Sequence, residues 1–202
     1  MTHASLVLHD LSVGYYRPGE DALSVVNHVD ETLHGGEFVC LIGPNGAGKS
    51  TLLRTIAGMQ PALAGRVTLM GQDLHHMRAD ERARHLSMVL TQKMDVGLFT
   101  GYALVALGRQ PYTGWLGTLS PKDHHVVQRA IYQVGADDLA NCRFNEMSDG
   151  ERQKILIARA LAQEPDVMIL DEPTAYLDLP RRVETMNLLR NLAHDSGCTV
   201  LV

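Results

Sequence analysis

Nine consecutive residues constrain this chain more than any others: Gly43-Pro44-Asn45-Gly46-Ala47-Gly48-Lys49-Ser50-Thr51. They match the pattern G-x-x-x-x-G-K-[ST]. Before them runs Glu37-Phe38-Val39-Cys40-Leu41-Ile42, a short, apolar, β-favouring segment. After them, Leu52-Leu53-Arg54-Thr55-Ile56-Ala57-Gly58 carries a helical pattern that a glycine stops. Strand, glycine-rich turn and helix form the order in which a backbone wraps an anion. The glycines let the chain turn so that successive N–H groups point inward. The positive end of the following helix adds to that field. The ligand implied is a nucleotide phosphate, with Lys49 reaching the β- and γ-phosphates and the Ser50 hydroxyl ligating Mg²⁺. A chance glycine-rich turn gives no reason for the lysine, the serine and both flanks to occur together.

Far along the chain, Val167-Met168-Ile169-Leu170-Asp171-Glu172 is an apolar run ending in two acids. Such a run reads as a strand buried on both faces. Ligands of parallel sheets sit outside the carboxyl ends of the strands. Asp171 is therefore expected beside the phosphates, holding the Mg²⁺ shell through water. Successive strand residues alternate sides, so Glu172 points elsewhere and is suited to polarise a water for attack on the γ-phosphate. Alone, acids at a strand end are equally well a solvated terminus; their force comes from the loop at residues 43–51.

Met147-Ser148-Asp149-Gly150-Glu151-Arg152-Gln153 precedes a helical stretch from Lys154 to Ala162. It resembles the signature sequence, usually L-S-G-G-Q, of ATP-binding-cassette (ABC) ATPases. Asp171-Glu172-Pro173-Thr174 with Ala175-Tyr176-Leu177-Asp178 resembles that family's second nucleotide strand and D-loop. Gln92 falls where the family has its Q-loop glutamine, and Tyr15 where an aromatic ring stacks on adenine. The resemblance spans nearly the whole chain. It implies an α/β fold: a P-loop NTPase (RecA-like) core, an N-terminal antiparallel β layer and an inserted α-helical subdomain. Residues 1–92 and 163–202 would form core and β layer, and 93–162 the helical subdomain.

The resemblance also implies ATP and Mg²⁺ as ligands. Tyr15, Gly43 to Thr51, Gln92, Ser148, Gly150 and Asp178 would bind nucleotide; Ser50, Gln92 and Asp171 would serve the metal; Glu172, Lys49 and Gln92 would serve catalysis. In this family the signature completes the ATP pocket of the opposite subunit. A serine hydroxyl and a glycine N–H at a helix N-terminus make such a second anion site. One chain then carries two half-sites and pairs head-to-tail with another cassette, Asp178 coupling the sites across a two-fold interface.

Two departures from the family pattern stand out. Asp149 replaces a glycine, placing a carboxylate close to the partner's γ-phosphate unless it turns away. Arg181 to Ala193 reads as a helix stopped by Gly197, and Cys198-Thr199-Val200-Leu201-Val202 as a buried strand. The family's switch histidine lies a few residues beyond such a strand. His194 stands before it, so a C-terminally truncated cassette is expected, competent to bind nucleotide and with hydrolysis in doubt.

The rest of the sequence narrows the class. A length of 202 residues suits one compact domain. A net charge of -5 gives no support to nucleic-acid binding. The N-terminus lacks the basic start and apolar stretch of a signal peptide, and Leu98 to Gly108 is too short to span a bilayer. Cys40, Cys142 and Cys198 lie far apart and read as reduced packing residues. His75-His76 and His124-His125 read as solvated surface, because adjacent helical residues do not share a face.

Further strands are expected at Leu6–Ser12, Val25–Leu33, Gly65–Gly71 and Leu86–Leu90, and a charged helix at Asp80–His85. Within the helical region, Val105-Ala106-Leu107-Gly108-Arg109, followed by proline and an aromatic, resembles importer ATPases for iron–siderophore complexes, haem and vitamin B12. The resemblance thus implies a bacterial importer's ATPase subunit, peripheral on the cytoplasmic face of the inner membrane. Its implied partners are permease subunits and, indirectly, a substrate-binding protein. A nucleotide-dependent interaction module with little or no hydrolysis is the alternative, favoured by the missing switch histidine and by Asp149. A soluble repair or translation ATPase would usually carry twin cassettes or coiled-coil insertions. A P-loop kinase or GTPase would have no use for Ser148-Asp149-Gly150 before a helix.

Overall fold

The structure is a computed structural model and describes residues 4–16, 19, 21–90, 97–114 and 117–202. Strands β1 (Ala4–Tyr15) and β2 (Leu23–His34) pair as a long antiparallel hairpin. The chain then makes the short strand β3 (Phe38–Val39), passes through the glycine loop and enters helix α1 (Lys49–Ile56). It returns as β4 (Ala64–Leu69), antiparallel to β1, and folds back as β5 (Gln72–Asp73). Helix α2 (Ala79–His85) feeds β6 (Leu86–Val89). Three helices follow: α3 (Gly101–Ala106), α4 (Pro121–Gln133) and α5 (Asp149–Ala162). The last elements are β7 (Val167–Leu170), α6 (Leu179–Ser196) and β8 (Thr199–Leu201).

Two sheets result. One is antiparallel in the order β2-β1-β4-β5; the other is parallel in the order β3-β8-β7-β6. All four residues of β7 are buried, and they alternate between two cores. Met168 and Leu170 join α3, α4, α5 and α6 in one core. Val167 and Ile169 join α1 and the antiparallel sheet in the other. The period-2 geometry of a strand makes this possible, and burial on both faces explains the unbroken apolar run. Each such side chain contributes about 1.5–3 kcal/mol by leaving water. The sheets are also tied by polar contact, the Ser5 and Thr199 hydroxyls lying 2.6 Å apart in the buried interior.

Several boundaries differ from those expected. The strand predicted over Glu37–Ile42 is reduced to Phe38–Val39, because β3 is an edge strand paired only with β8 and its chain leaves the ladder to open the glycine loop. Leu41 still donates its N–H to the Val202 carbonyl at 2.6 Å. Cys40 is consequently exposed, as is Cys142 in its loop, so of the three thiols only Cys198 packs in the core. The helix expected from Lys154 begins at Asp149, because Ser148 and Glu151 form a capping box that gathers the signature into the first turn. Helix α6 begins at Leu179, ahead of Arg181, with Asp178 as its cap, and ends on Gly197 at φ 72°.

A buried ionic joint holds the helical region to the parallel sheet. Arg109 is 1% exposed. Its Nε donates to Asp123 Oδ1 at 2.9 Å, and its Nη1 donates to the Ala162 carbonyl at 2.7 Å and to Glu164 Oε2 at 2.9 Å. The Tyr112 ring lies 3.9 Å beneath the guanidinium. Tyr112 donates its hydroxyl to the Gln163 carbonyl at 2.9 Å, and Gln163 Nε2 reaches the Leu86 carbonyl at 2.7 Å. The guanidinium therefore bonds the end of α5 and the start of α4 at once.

Removing one member of a buried charge cluster strands the others. Arg109→Ala should lower the unfolding free energy by about 3–5 kcal/mol, measured as a lower urea midpoint at neutral pH. The Ser120 hydroxyl and N–H, with Arg109, hold the Asp123 carboxyl down to about 2. Unfolded, that group titrates near about 3.9. Its contribution is present above about pH 4 and is lost as pH falls toward about 2. In Asp123→Asn, the melting temperature should decline less steeply with acid over that window than in the parent.

Candidate nucleotide-binding site

The glycine loop opens at the carboxyl ends of the parallel strands. Gly46 and Gly48 take φ values of 82° and 90°. At Gly48 no other residue would serve: an added Cβ would stand 2.4 Å from Val25 Cγ1, besides the strain of a left-handed backbone. The supporting wall is thus a strand of the antiparallel layer. Gly48 caps α1 without a side chain, and the helix carries no acid in its first turn, so its N-terminal field stays positive. Lys49 folds over the loop, its Nζ donating to the Gly43 carbonyl at 2.8 Å and the Pro44 carbonyl at 3.0 Å.

β7 ends beside this loop. The Asp171 N–H donates to the Val89 carbonyl at 2.9 Å, which extends the β6–β7 pairing and fixes the carboxylate. The Ser50 hydroxyl donates to Asp171 Oδ1 at 2.8 Å. Arg54, one turn after Ser50, places a guanidinium nitrogen 4.0 Å from the other carboxylate oxygen. Asp171 is only 6% exposed. Glu172 is exposed and has a left-handed backbone, φ 50°, so the chain bends out of the strand as its carboxylate begins. For a glutamate that backbone costs about 1–3 kcal/mol, a strain concentrated at functional turns. A cavity of about 300 Å³ lies here, bordered by Lys49, Asp171, Glu172, Ile42 and Leu53. Tyr15, 48% exposed, bonds through its hydroxyl to the Thr51 hydroxyl at 2.9 Å.

The structure thus brings Tyr15, residues 43–51, Asp171 and Glu172 together. Ser148, Gly150 and Asp178 gather elsewhere. Ser148 Oγ donates to Glu151 Oε2 at 2.7 Å, and Ser148 N–H donates to the same oxygen at 2.7 Å. That bonding holds the Glu151 carboxyl below its ordinary range. Asp149, the departure from the family pattern, lies 3.5 Å from Arg152. Asp178 Oδ1 accepts the Arg181 N–H at 3.0 Å. Ser148 and Gly150 line a different cleft, of about 200 Å³, between α5 and α6. Gln92 lies outside the described residues. Sequence reasoning missed Arg54 and Arg181. The i, i+4 spacing from Ser50 could have raised Arg54, whereas Arg181 meets Gly150 only through the packing of two helices.

His75, His76, His124 and His125 are exposed, and the described residues contain no group of three or more His, Cys, Asp or Glu that could hold a metal. The oxygen pair at Ser50 and Asp171 is a smaller set of another kind. No described helix is long and apolar enough to cross a membrane.

Comparison with known proteins identifies the family. The family model described as ABC transporter matches residues 26–175. An ABC transporter ATP-binding protein of Methanocaldococcus jannaschii is 44% identical over 197 residues, covering 98% of this chain and 66% of that protein. The achromobactin transport ATP-binding protein of Dickeya dadantii is 38% identical over 200 residues, covering 98% of this chain and 72% of its own length. The chain thus spans about two thirds of the length of the first of these relatives. Among solved structures, an ABC transporter in an inward-facing conformation aligns with a TM-score of 0.82 at 27% identity, over 98% of this chain and 72% of that one. Nucleotide loop, strand-end acids and signature sit on one α/β cassette: the chain belongs to the ABC transporter ATP-binding family.

Proposed function

We propose that this chain binds and hydrolyses ATP as the energy-coupling subunit of an ABC importer. It would work as a head-to-tail pair with a second copy, on the cytoplasmic face of a membrane, against permease subunits that receive cargo from a substrate-binding protein. The observation that carries this reading is the Ser50–Asp171 hydrogen bond at 2.8 Å, at the mouth of the glycine loop. One hydroxyl and one carboxylate oxygen at one point make a hard, oxygen-only donor set, which fits Mg²⁺ and not a softer metal. Ser50 and Asp171 would hold that ion, Asp171 through water, with Gln92 added by resemblance. When bound, it would neutralise charge on the β- and γ-phosphates.

The chain's own groups do the remainder. Lys49 exchanges the Gly43 and Pro44 carbonyls for the β- and γ-phosphates, and the backbone N–H groups of Gly43, Asn45, Gly46, Ala47, Gly48, Lys49, Ser50 and Thr51 cradle them. Tyr15 stacks on the adenine. Glu172 orients the attacking water and takes its proton. Ser148 and Gly150 offer their helix N-terminus to the γ-phosphate held by the second copy, and Asp178 crosses that interface. Support for pairing is internal: Lys49, Asp171 and Glu172 line one cavity, and Ser148 and Gly150 line another, so a single copy would supply two halves of different sites.

Residues 93–162 act in this reading as the helical subdomain that meets the permease. Leu98, Phe99 and Leu107 are exposed there, an apolar surface suited to a short coupling helix. Gln92 would link that surface to the γ-phosphate. The cargo favoured is an iron chelate or cobalamin, supported by the segment at Val105–Arg109 and by the achromobactin transport relative. Nucleic acid is not among the partners.

Glu172→Gln should lower kcat for ATP hydrolysis by at least about a hundredfold while ATP still binds, read from steady-state phosphate release beside equilibrium nucleotide binding. Equal turnover in both forms would sink the hydrolytic role of Glu172. Absence of turnover in the parent, even with permease subunits added, would leave the nucleotide-dependent interaction module. Deleting the gene should abolish uptake of labelled ferric chelate or labelled cobalamin; unchanged uptake of both removes the cargo assignment.

A further inference from the structure

The first turn of α5 is acidic where the family's usual signature, L-S-G-G-Q, carries no charge. Asp149 and Glu151 bring two carboxylates to a turn that, on the reading above, must accept the terminal phosphate of another copy's nucleotide. Like charge disfavours that approach. The nearby cations are unequally placed to offset it. Arg152 lies 3.5 Å from Asp149, and Lys154 Nζ lies 3.1 Å from Glu184 Oε1, so both are paired, although Lys154 also acts on Glu151, less than Arg181 does. Arg181 is not so paired. Its side chain lies on Gly150, where an added Cβ would come 3.1 Å from Nη1 and 3.3 Å from Cδ. Among the described residues its guanidinium makes no ion pair or hydrogen bond. Its charge is felt by Glu151, whose carboxyl it helps to hold down after the Ser148 bonds. Its backbone is fixed by Asp178, which accepts the Arg181 N–H at 3.0 Å.

We propose that Arg181 is a positioning residue for the signature half-site: its guanidinium, held over Gly150 by the Asp178 cap, neutralises the acidic first turn of α5 so that the turn can receive the γ-phosphate of a nucleotide bound to a second copy of this chain. The inference rests on the paired-cassette reading. It gives Gly150 a physical role, since only a residue without a side chain lets the arginine lie undisturbed against the helix. It also explains how Asp149 and Glu151 are tolerated, and it ties Asp178, through the Arg181 N–H, and the signature, through the Arg181 side chain, to one residue.

The test is ATP-dependent self-association with Mg²⁺, followed by analytical ultracentrifugation in the Glu172→Gln background, which keeps nucleotide intact. Arg181→Ala should weaken the dimer by roughly tenfold, and Arg181→Lys, which keeps the charge, by less than about threefold. Adding Glu151→Gln to Arg181→Ala should recover most of the loss, because the charge to be offset is then smaller. The salt dependence of association should be shallower in the alanine variant. Thermal midpoints of all variants, measured alongside, separate this from loss of the fold. Equal weakening by alanine and lysine, or no recovery with Glu151→Gln, overturns the charge role and leaves pairing intact. A Glu172→Gln parent that stays monomeric with ATP overturns the pairing reading and this inference together.

Discussion

The hydrogen bond from Ser50 to Asp171 is the contact on which the site depends. It joins residues 121 positions apart, one at the start of a helix and one at the end of a strand. Neither residue could hold its place alone. Ser50 is placed by a loop whose glycines adopt left-handed backbones, and Asp171 by a strand buried on both faces. Two hydrophobic cores, one on each side of β7, therefore set the position of a single carboxylate. A small displacement of either core would move the oxygen pair apart, which is why so much apolar packing surrounds so small a polar junction.

The antiparallel layer contributes more than a lid. Val25 and Val26 wall the loop at Gly48, and Tyr15 bonds to Thr51 in the helix that follows. The β1–β2 hairpin thus touches both the glycine loop and the helix that follows it. On the far side of the fold, Arg109 ties α4, the end of α5 and the segment leading into β7. Signature and strand-end acids lie at opposite ends of one continuous stretch, α5 through β7, and the ionic joint holds its middle. Rotation of the helical region would have to strain this joint or carry it as a unit.

Division of the motifs between two clefts gives the functional reading its form. A glycine-rich loop leading into a helix and a capped helix N-terminus are each half of an anion site. Their separation within one chain is what a symmetric pair would reconcile. The acidic signature sharpens the point: capping draws Glu151 back onto Ser148, Asp149 leans to Arg152, and Arg181 lies over Gly150 with its charge acting on Glu151.

The sequence by itself determined the local chemistry. Gly43 to Thr51 between an apolar segment and a helix, the apolar run ending in Asp171 and Glu172, and Gly197 as a helix stop were all legible, because each is set by backbone geometry or by period within a few residues. Individual strands followed from the same patterns, whereas the class of fold, with its antiparallel β layer, was what the resemblance to ABC ATPases implied. Tertiary structure decided the rest. Exposure of Cys40 came from β3 being an edge strand, and the early start of α5 from the Ser148–Glu151 box. The near contact of Arg181 with Gly150 and the burial of Arg109 arose where helices distant in sequence pack together. These depend on which elements become neighbours, and a one-dimensional pattern records only what each residue does to those beside it.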